Sequence, residues 1–329
     1  TGTQNSIVAG VGINGTGSGN IVSSLLICGG FTKSAGTIQS SIVSGGSHSS
    51  SANILNSLIS GNSNTQSTPI QSTLLIGNLN TVSGPGLNTA VGNLIAGESN
   101  SLQSGPSNNL VVGNNNTLIL GTLRNLVGGS QNSLGQDCVS NLVVGETVVL
   151  GSSSNRNLLG GLNYTLTSGS SNNVVTGSNH TISAELTSSL VTGLSNQLGG
   201  ISHSHSIIAG QGINSSNQTI RSILAGELNT FNSIVDNSLI VGSNNSTNTV
   251  IRSLIAGTAG TLSNGIVDSI VAVNTASVNG LNTTLAVGSD LSFTQPVNNS
   301  IISGQTNSAS NLINNSMLFN TFYQLWSSL

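Results

Sequence analysis

A glycine at nearly every sixteenth residue constrains what this chain can fold into. Gly10, Gly29, Gly45, Gly61, Gly77, Gly97, Gly113, Gly129, Gly145, Gly161, Gly177, Gly193, Gly210, Gly226, Gly242, Gly257, Gly288 and Gly304 form one series in which most steps are 16 residues. Insertions precede Gly29, Gly97 and Gly210, and Val273 and Asn320 stand on the two remaining rungs, giving about 20 repeats. A short fixed period held over so many repeats marks a solenoid, in which each repeat is one coil stacked on the last.

Each glycine closes a cassette of one polar residue and two or three aliphatics. Examples are Ser6-Ile7-Val8-Ala9-Gly10, Ser41-Ile42-Val43-Ser44-Gly45, Asn109-Leu110-Val111-Val112-Gly113 and Ser222-Ile223-Leu224-Ala225-Gly226. A second signature follows, Gly-x-x-Asn-Thr/Ser-apolar, as in Gly113…Asn116-Thr117-Leu118 and Gly129…Asn132-Ser133-Leu134. Gly and Asn tolerate positive φ, so this spacing predicts a tight turn at the same point of every coil. Sixteen residues then hold two strands and two turns.

The two strands differ. The second alternates polar, apolar, polar, as in Thr81-Val82-Ser83, the pattern of a strand with one buried and one wet face. The first is apolar at consecutive positions, as in Leu142-Val143-Val144 and Leu239-Ile240-Val241, so both of its faces call for burial. A thin roll has one interior, and the other apolar face needs a cover of its own, which a long ladder finds best in another copy of the chain. At about 4.8 Å per coil the expected stack is about 95 Å long.

Composition closes off other classes. Only 13 of the 329 side chains are charged, eight acidic and five basic, for a net charge of −3. Five scattered cations, Lys33, Arg124, Arg156, Arg221 and Arg252, cannot neutralise a run of phosphates, so no nucleic-acid partner is expected. Ile, Leu and Val recur to the end of the chain, which argues against disorder. No apolar run approaches the ~18 residues of a membrane span, so no membrane insertion is expected. A start at Thr1 is what a processed product or an excerpt would show.

The cassette and its period resemble the head domains of YadA-like trimeric autotransporter adhesins and related β-roll repeats of viral and bacterial fibres, from Ser6 to about Ser316. The resemblance implies an all-β left-handed parallel β-roll, a parallel homotrimer, and a role in attachment at a cell or virion surface, where a receptor would be a further partner. The expected organisation is a repeat domain over 1–316 and an aromatic C-terminal segment over 317–329. Within that segment Phe319, Phe322, Tyr323 and Trp326 supply half of the eight aromatics. Large aromatics bury much area, so they are expected either to cap the last coil or to dock onto another subunit.

Few side chains suggest site chemistry. Ser202-His203-Ser204-His205-Ser206 places two histidines two apart; on a strand they would share a face, and on a threefold axis His203 and His205 would offer six imidazoles to a transition metal. The competing reading is a solvated turn. No other cofactor is expected. Glu98, Glu146 and Glu227 each follow a rung glycine. Three coils part Glu98 from Glu146, about 14 Å, beyond the reach of a paired-carboxylate mechanism. Asp137 and Glu146 have nothing titratable around them, so no enzyme is expected. Arg252 and Asp268 are expected to stack as an opposite-charge pair on an exposed edge. Cys28, one residue before Gly29, should replace the alanine of other cassettes as a small buried hydrophobe, and Cys138 is too far along the stack for a disulfide. Eleven Asn-x-Ser/Thr sequons, among them Asn14, Asn115, Asn163, Asn179, Asn217 and Asn282, are no more than this composition produces by chance.

The sequence therefore points to a structural extracellular fibre or adhesin shaft. A filament stacked head to tail through the aromatic end is an alternative. A further one is an ice-binding solenoid, although its Thr-x-Thr signature is rare here, as at Thr165-Leu166-Thr167.

Overall fold

A computed structural model describes the chain except residues 1–2, 11, 16–19, 85–88, 212–213, 216–217, 228–229, 232–233, 248–249, 253, 268–269, 283–284, 290–291, 294–296, 299–300, 306, 310–312, 315–316, 321–322 and 326–329. The described residues form an all-β parallel solenoid with turns of ~16 residues, with longer steps such as Gly77↔Gly97 among them. Two compact units divide the chain, Thr1–Ser171 and Asn172–Leu329. The two non-glycine rungs fall where the repeat count places them: Val273 pairs with Gly257 and Asn320 with Gly304.

Beyond the two strands expected, coils of both units carry a third, narrow ladder, and in some coils strands merge into longer ones such as Leu142–Leu150. In the coil after Gly97 the first is Leu110–Asn114 and the second Thr117–Leu118. The third ladder runs Ile38↔Ile54↔Ile70↔Ala90, continues as single bridges Val91↔Ser107↔Leu123↔Val139, and recurs in the second unit as Leu186↔His203↔Thr219↔Val235. It is only one to three residues wide, too short for an alternation to be read.

One coil shows how the interior is filled. Val111 from the first strand, Leu118 from the second and Thr122, just before the bridging Leu123 of the third ladder, point inward, and Asn116 and Asn125 close two corners; all five are essentially inaccessible. Stacking at strand spacing repeats the five positions, so each becomes a column of like side chains.

The asparagines correct the turn reading. Positive φ belongs to the rung glycine and to the residue two beyond it, as at Gly113 and Asn115, whereas Asn116 lies in the interior. The Asn116 amide donates to Asn100 Oδ1 at 3.0 Å and to the Gly129 carbonyl at 3.0 Å. Its own Oδ1 accepts from the Asn132 backbone N–H and side-chain amide. A second amide ladder joins Asn93, Asn109, Asn125, Asn141 and Asn157 by the same two bonds per step. Asparagine suits this place because it offers both a donor and an acceptor along the stack axis, which keeps a buried polar column satisfied.

The rung glycine is required by contact as well as by φ. A Cβ on Gly113, at φ +125°, would stand 1.9 Å from the Gly129 carbonyl oxygen of the next coil. Cys28 departs from expectation here. It pairs with Gly10 and Gly45 and so occupies the rung itself, while Ile27 takes the place of Ala9. It is buried, as anticipated, and its Sγ donates to the Val43 carbonyl at 3.3 Å.

The C-terminal aromatic segment continues the ladder. Met317–Asn320 pairs with Ile301–Gln305 and Tyr323–Leu325 with Asn307–Ala309, so Phe319 stands in register with Ser303 and Tyr323 with Asn307. Phe322 and Trp326 lie outside the described residues.

Candidate functional site

The outer face of the first strand is the largest feature that the interior leaves unexplained. Residues i and i+2 of a strand share a face. In Leu110–Asn114 the middle aliphatic, Val111, is buried, which turns Leu110 and Val112 outward. Register repeats this down the first unit. Leu25, Ile42, Leu58, Leu74, Leu94, Leu110, Leu126, Leu142 and Leu158 form an unbroken aliphatic column. Beside it runs a second column, Ile27, Ser44, Ser60, Ile76, Ala96, Val112, Gly128, Val144 and Gly160. Ile27 is 52% accessible, Ile42 45%, Val112 45% and Val144 49%. Neither column contains a charge.

The second unit repeats the arrangement with Val174, Leu190, Ile207, Ile223, Leu254 and Ile270 exposed on the first strand. By backbone register Phe319 belongs to its second column, following Val287 and Ser303. The uncovered apolar face read from consecutive aliphatics is therefore present. Nine coils of about 4.8 Å each, with a strip some 10 Å wide, give about 430 Å² in the first unit. That is roughly half of the ~800 Å² each partner contributes to a stable interface.

The Ser-His-Ser-His-Ser stretch does not present two imidazoles on one face. Ser202–Ser204 is the strand, and His203 points into the core between Leu186 and Thr219, fully buried. His205 lies just beyond, exposed at a turn with φ +53°. The change to positive φ after the strand breaks the alternation that a shared metal face requires. Among the described residues no group of three or more His, Cys, Asp or Glu is placed to hold a metal ion.

His203 has a hydrogen-bonding pattern that His48 and His180 share. Each places Nε2 against the carbonyl four residues earlier: Ser44 at 2.7 Å, Thr176 at 3.0 Å and Gly199 at 3.2 Å. His48 and His180 stand three residues after Gly45 and Gly177, the asparagine position, and the Asn196 backbone N–H donates to His180 Nδ1 at 3.2 Å. Burial pushes the His203 imidazole down to about 4 and lowers that of His180, opposed in both by the carbonyl bond. Counting from the rung glycine identifies His48, His180 and Tyr164 as occupants of the ladder corner; the residue types alone do not.

The charges lie away from the apolar face or at its margin. Glu98, Glu146 and Glu227 are exposed one residue past their glycines. Arg124, Arg156, Arg221 and Arg252 all occupy the positive-φ turn residue just before a cassette. Arg221 pairs with Asp236 at 3.2 Å and also donates to Asn237 Oδ1 at 2.8 Å. Asp268, the expected partner of Arg252, lies outside the described residues. Lys33 is the exception, 3% accessible on the inward column of the second strand next to Ser50, and desolvation lowers its pKa. Its position in the core was not foreseen from sequence, because the coil containing it follows an insertion. Cys28 and Cys138 are buried free thiols, both raised in pKa by desolvation.

The chain matches no protein-family model and no curated protein. The fold defines its class, a parallel β-solenoid with ~16-residue coils.

Proposed function

We propose that this chain is the shaft of an extracellular homotrimeric fibre or adhesin, acting in surface attachment through a long, nearly uncharged Ser/Asn/Thr surface. The observation that carries this reading is the continuous, half-buried to exposed aliphatic column from Leu25 to Leu158. Its repeat is the coil spacing, so a second solenoid of the same spacing can meet it along its whole length. A copy of this chain has that spacing and the same absence of charge. Closed symmetry around an axis then covers the face with identical faces.

Sedimentation of the purified chain tests the proposal. The expected species is three chains of 32.9 kDa each. Replacing Leu126 and Leu158, which are exposed and stand two coils apart, together by Asp should release monomers with an unchanged far-UV circular dichroism spectrum, since these side chains lie outside the core. A stable soluble monomer of the parent chain would refute the trimer.

A further inference from the structure

The geometry points to a register-setting device on this face: hydroxyl layers at Ser44, Ser60, Thr176 and Thr192 hold identical copies coil against matching coil. The inference rests on the assembly proposed above and adds what fixes its alignment.

A periodic stripe has an alignment problem. Sliding one copy by one coil, about 4.8 Å, sets leucine against leucine almost everywhere and forfeits contact only at the ends. The aliphatic column from Leu25 to Leu158 is therefore nearly indifferent to register. Bulk in the neighbouring column does not help. Val112, Gly128, Val144 and Gly160 alternate large and small, and a one-coil slip would pack valine into the space over glycine.

The hydroxyl positions respond differently to a slip. Ser44 Oγ donates to Ser60 Oγ at 3.1 Å, and both side chains are half-buried on the apolar face. The Ser60 hydroxyl proton has no acceptor among the described residues. In the second unit Thr176 and Thr192 are likewise half-buried, two residues after Val174 and Leu190. In matching register, hydroxyls of different copies meet at one height and bond one another. A slip of one coil sets Ser60 against Ile76, Ser44 against Ile27 in the other direction, and Thr192 against Ala209, burying hydroxyls without partners. Single polar layers set register in coiled coils for the same reason.

Cysteine cross-linking reads the register directly. Chains carrying Val112→Cys are unfolded together with size-tagged chains carrying Gly128→Cys, refolded and oxidised. A side chain at Gly128 finds its nearest neighbour at 3.9 Å, so the cysteine fits. The parent background is expected to give disulfides only between like positions. Replacing all four hydroxyl residues by Val should leave the sedimenting mass unchanged and raise mixed 112–128 disulfides at least tenfold, while Ser44→Thr with Ser60→Thr should keep the parent pattern. An intact oligomer of the Val variant with only like-position disulfides would overturn the inference. If that variant does not refold, Ser44→Val with Ser60→Val is read in the same way, and the absence of any rise has the same meaning. A monomeric parent, seen by mass, would instead sink the assembly reading itself.

Discussion

At the residue scale, His203 shows how a solenoid interior treats a titratable group. Its column holds Leu186 above and Thr219 below, so the ring is neutral when folded, and its pKa falls to about 4 from an ordinary 6.5. The folded value is the lower one, so the unfolded chain takes up the proton first as pH falls. The stability contribution is complete above about 6.5, is lost progressively between there and about 4, and changes no further below. The gap corresponds to about 3 kcal/mol, and His180 acts in the same direction. Urea unfolding followed from pH 7 to pH 4 should show this slope, and His203→Leu, which restores the residue type of its neighbour Leu186, should flatten it. An unchanged slope in that variant would place the acid sensitivity elsewhere.

At the scale of the element, strand pairing and amide ladders depend on each other. The Asn116 side chain reaches Gly129, whose nitrogen and carbonyl belong to the next rung, so the corner column ties successive first strands together. Asn116→Leu would leave the Asn132 amide without Asn116 Oδ1 and the Gly129 carbonyl without its side-chain donor. Two or more buried polar groups lose partners, an expected cost of about 3–5 kcal/mol in chemical denaturation. A cost below about 1 kcal/mol would mean the ladder is not a main support of the stack. The column changes type at Val148, whose backbone N–H still donates to Asn132 Oδ1 at 3.0 Å, and then at Tyr164; in the second unit His180 takes the corresponding position after its rung glycine. Each new occupant meets the corner in its own way: Val148 offers only its backbone N–H, whereas the Tyr164 hydroxyl donates to the Gly160 carbonyl.

At the scale of the whole molecule, scarcity of charge follows from periodicity. A charge repeated in successive coils would stand about 4.8 Å from its like, which is destabilising. The arginines share one turn position yet never occupy it in adjacent coils: Ser140 stands between Arg124 and Arg156, and Asn237 between Arg221 and Arg252. The proposed assembly, with an uncharged interface, should be insensitive to ionic strength. Its sedimenting mass is expected to be the same at about 0.05 M and about 1 M salt, where the screening length shrinks several-fold. Dissociation at high salt would show that pairs of opposite charge, rather than the apolar columns, hold the copies together.

Period and strand chemistry were legible in the residues. The glycine series placed the rungs, including Val273 and Asn320, and the consecutive aliphatics of Leu142-Val143-Val144 announced an uncovered face, because local sequence alone decides how many apolar side chains a strand carries. What a side chain does across the coil was not legible. Asn116 and Asn115 are adjacent and identical, yet one is buried in a ladder and the other exposed at a positive-φ turn. His203 and His205 part in the same manner, and Cys28 moves one place onto the rung. Those assignments depend on where the chain turns corners and on which residue of the next coil lies opposite. Only the stacked structure settles both, because the partners are 13 to 20 residues apart and are brought together by the winding of the chain.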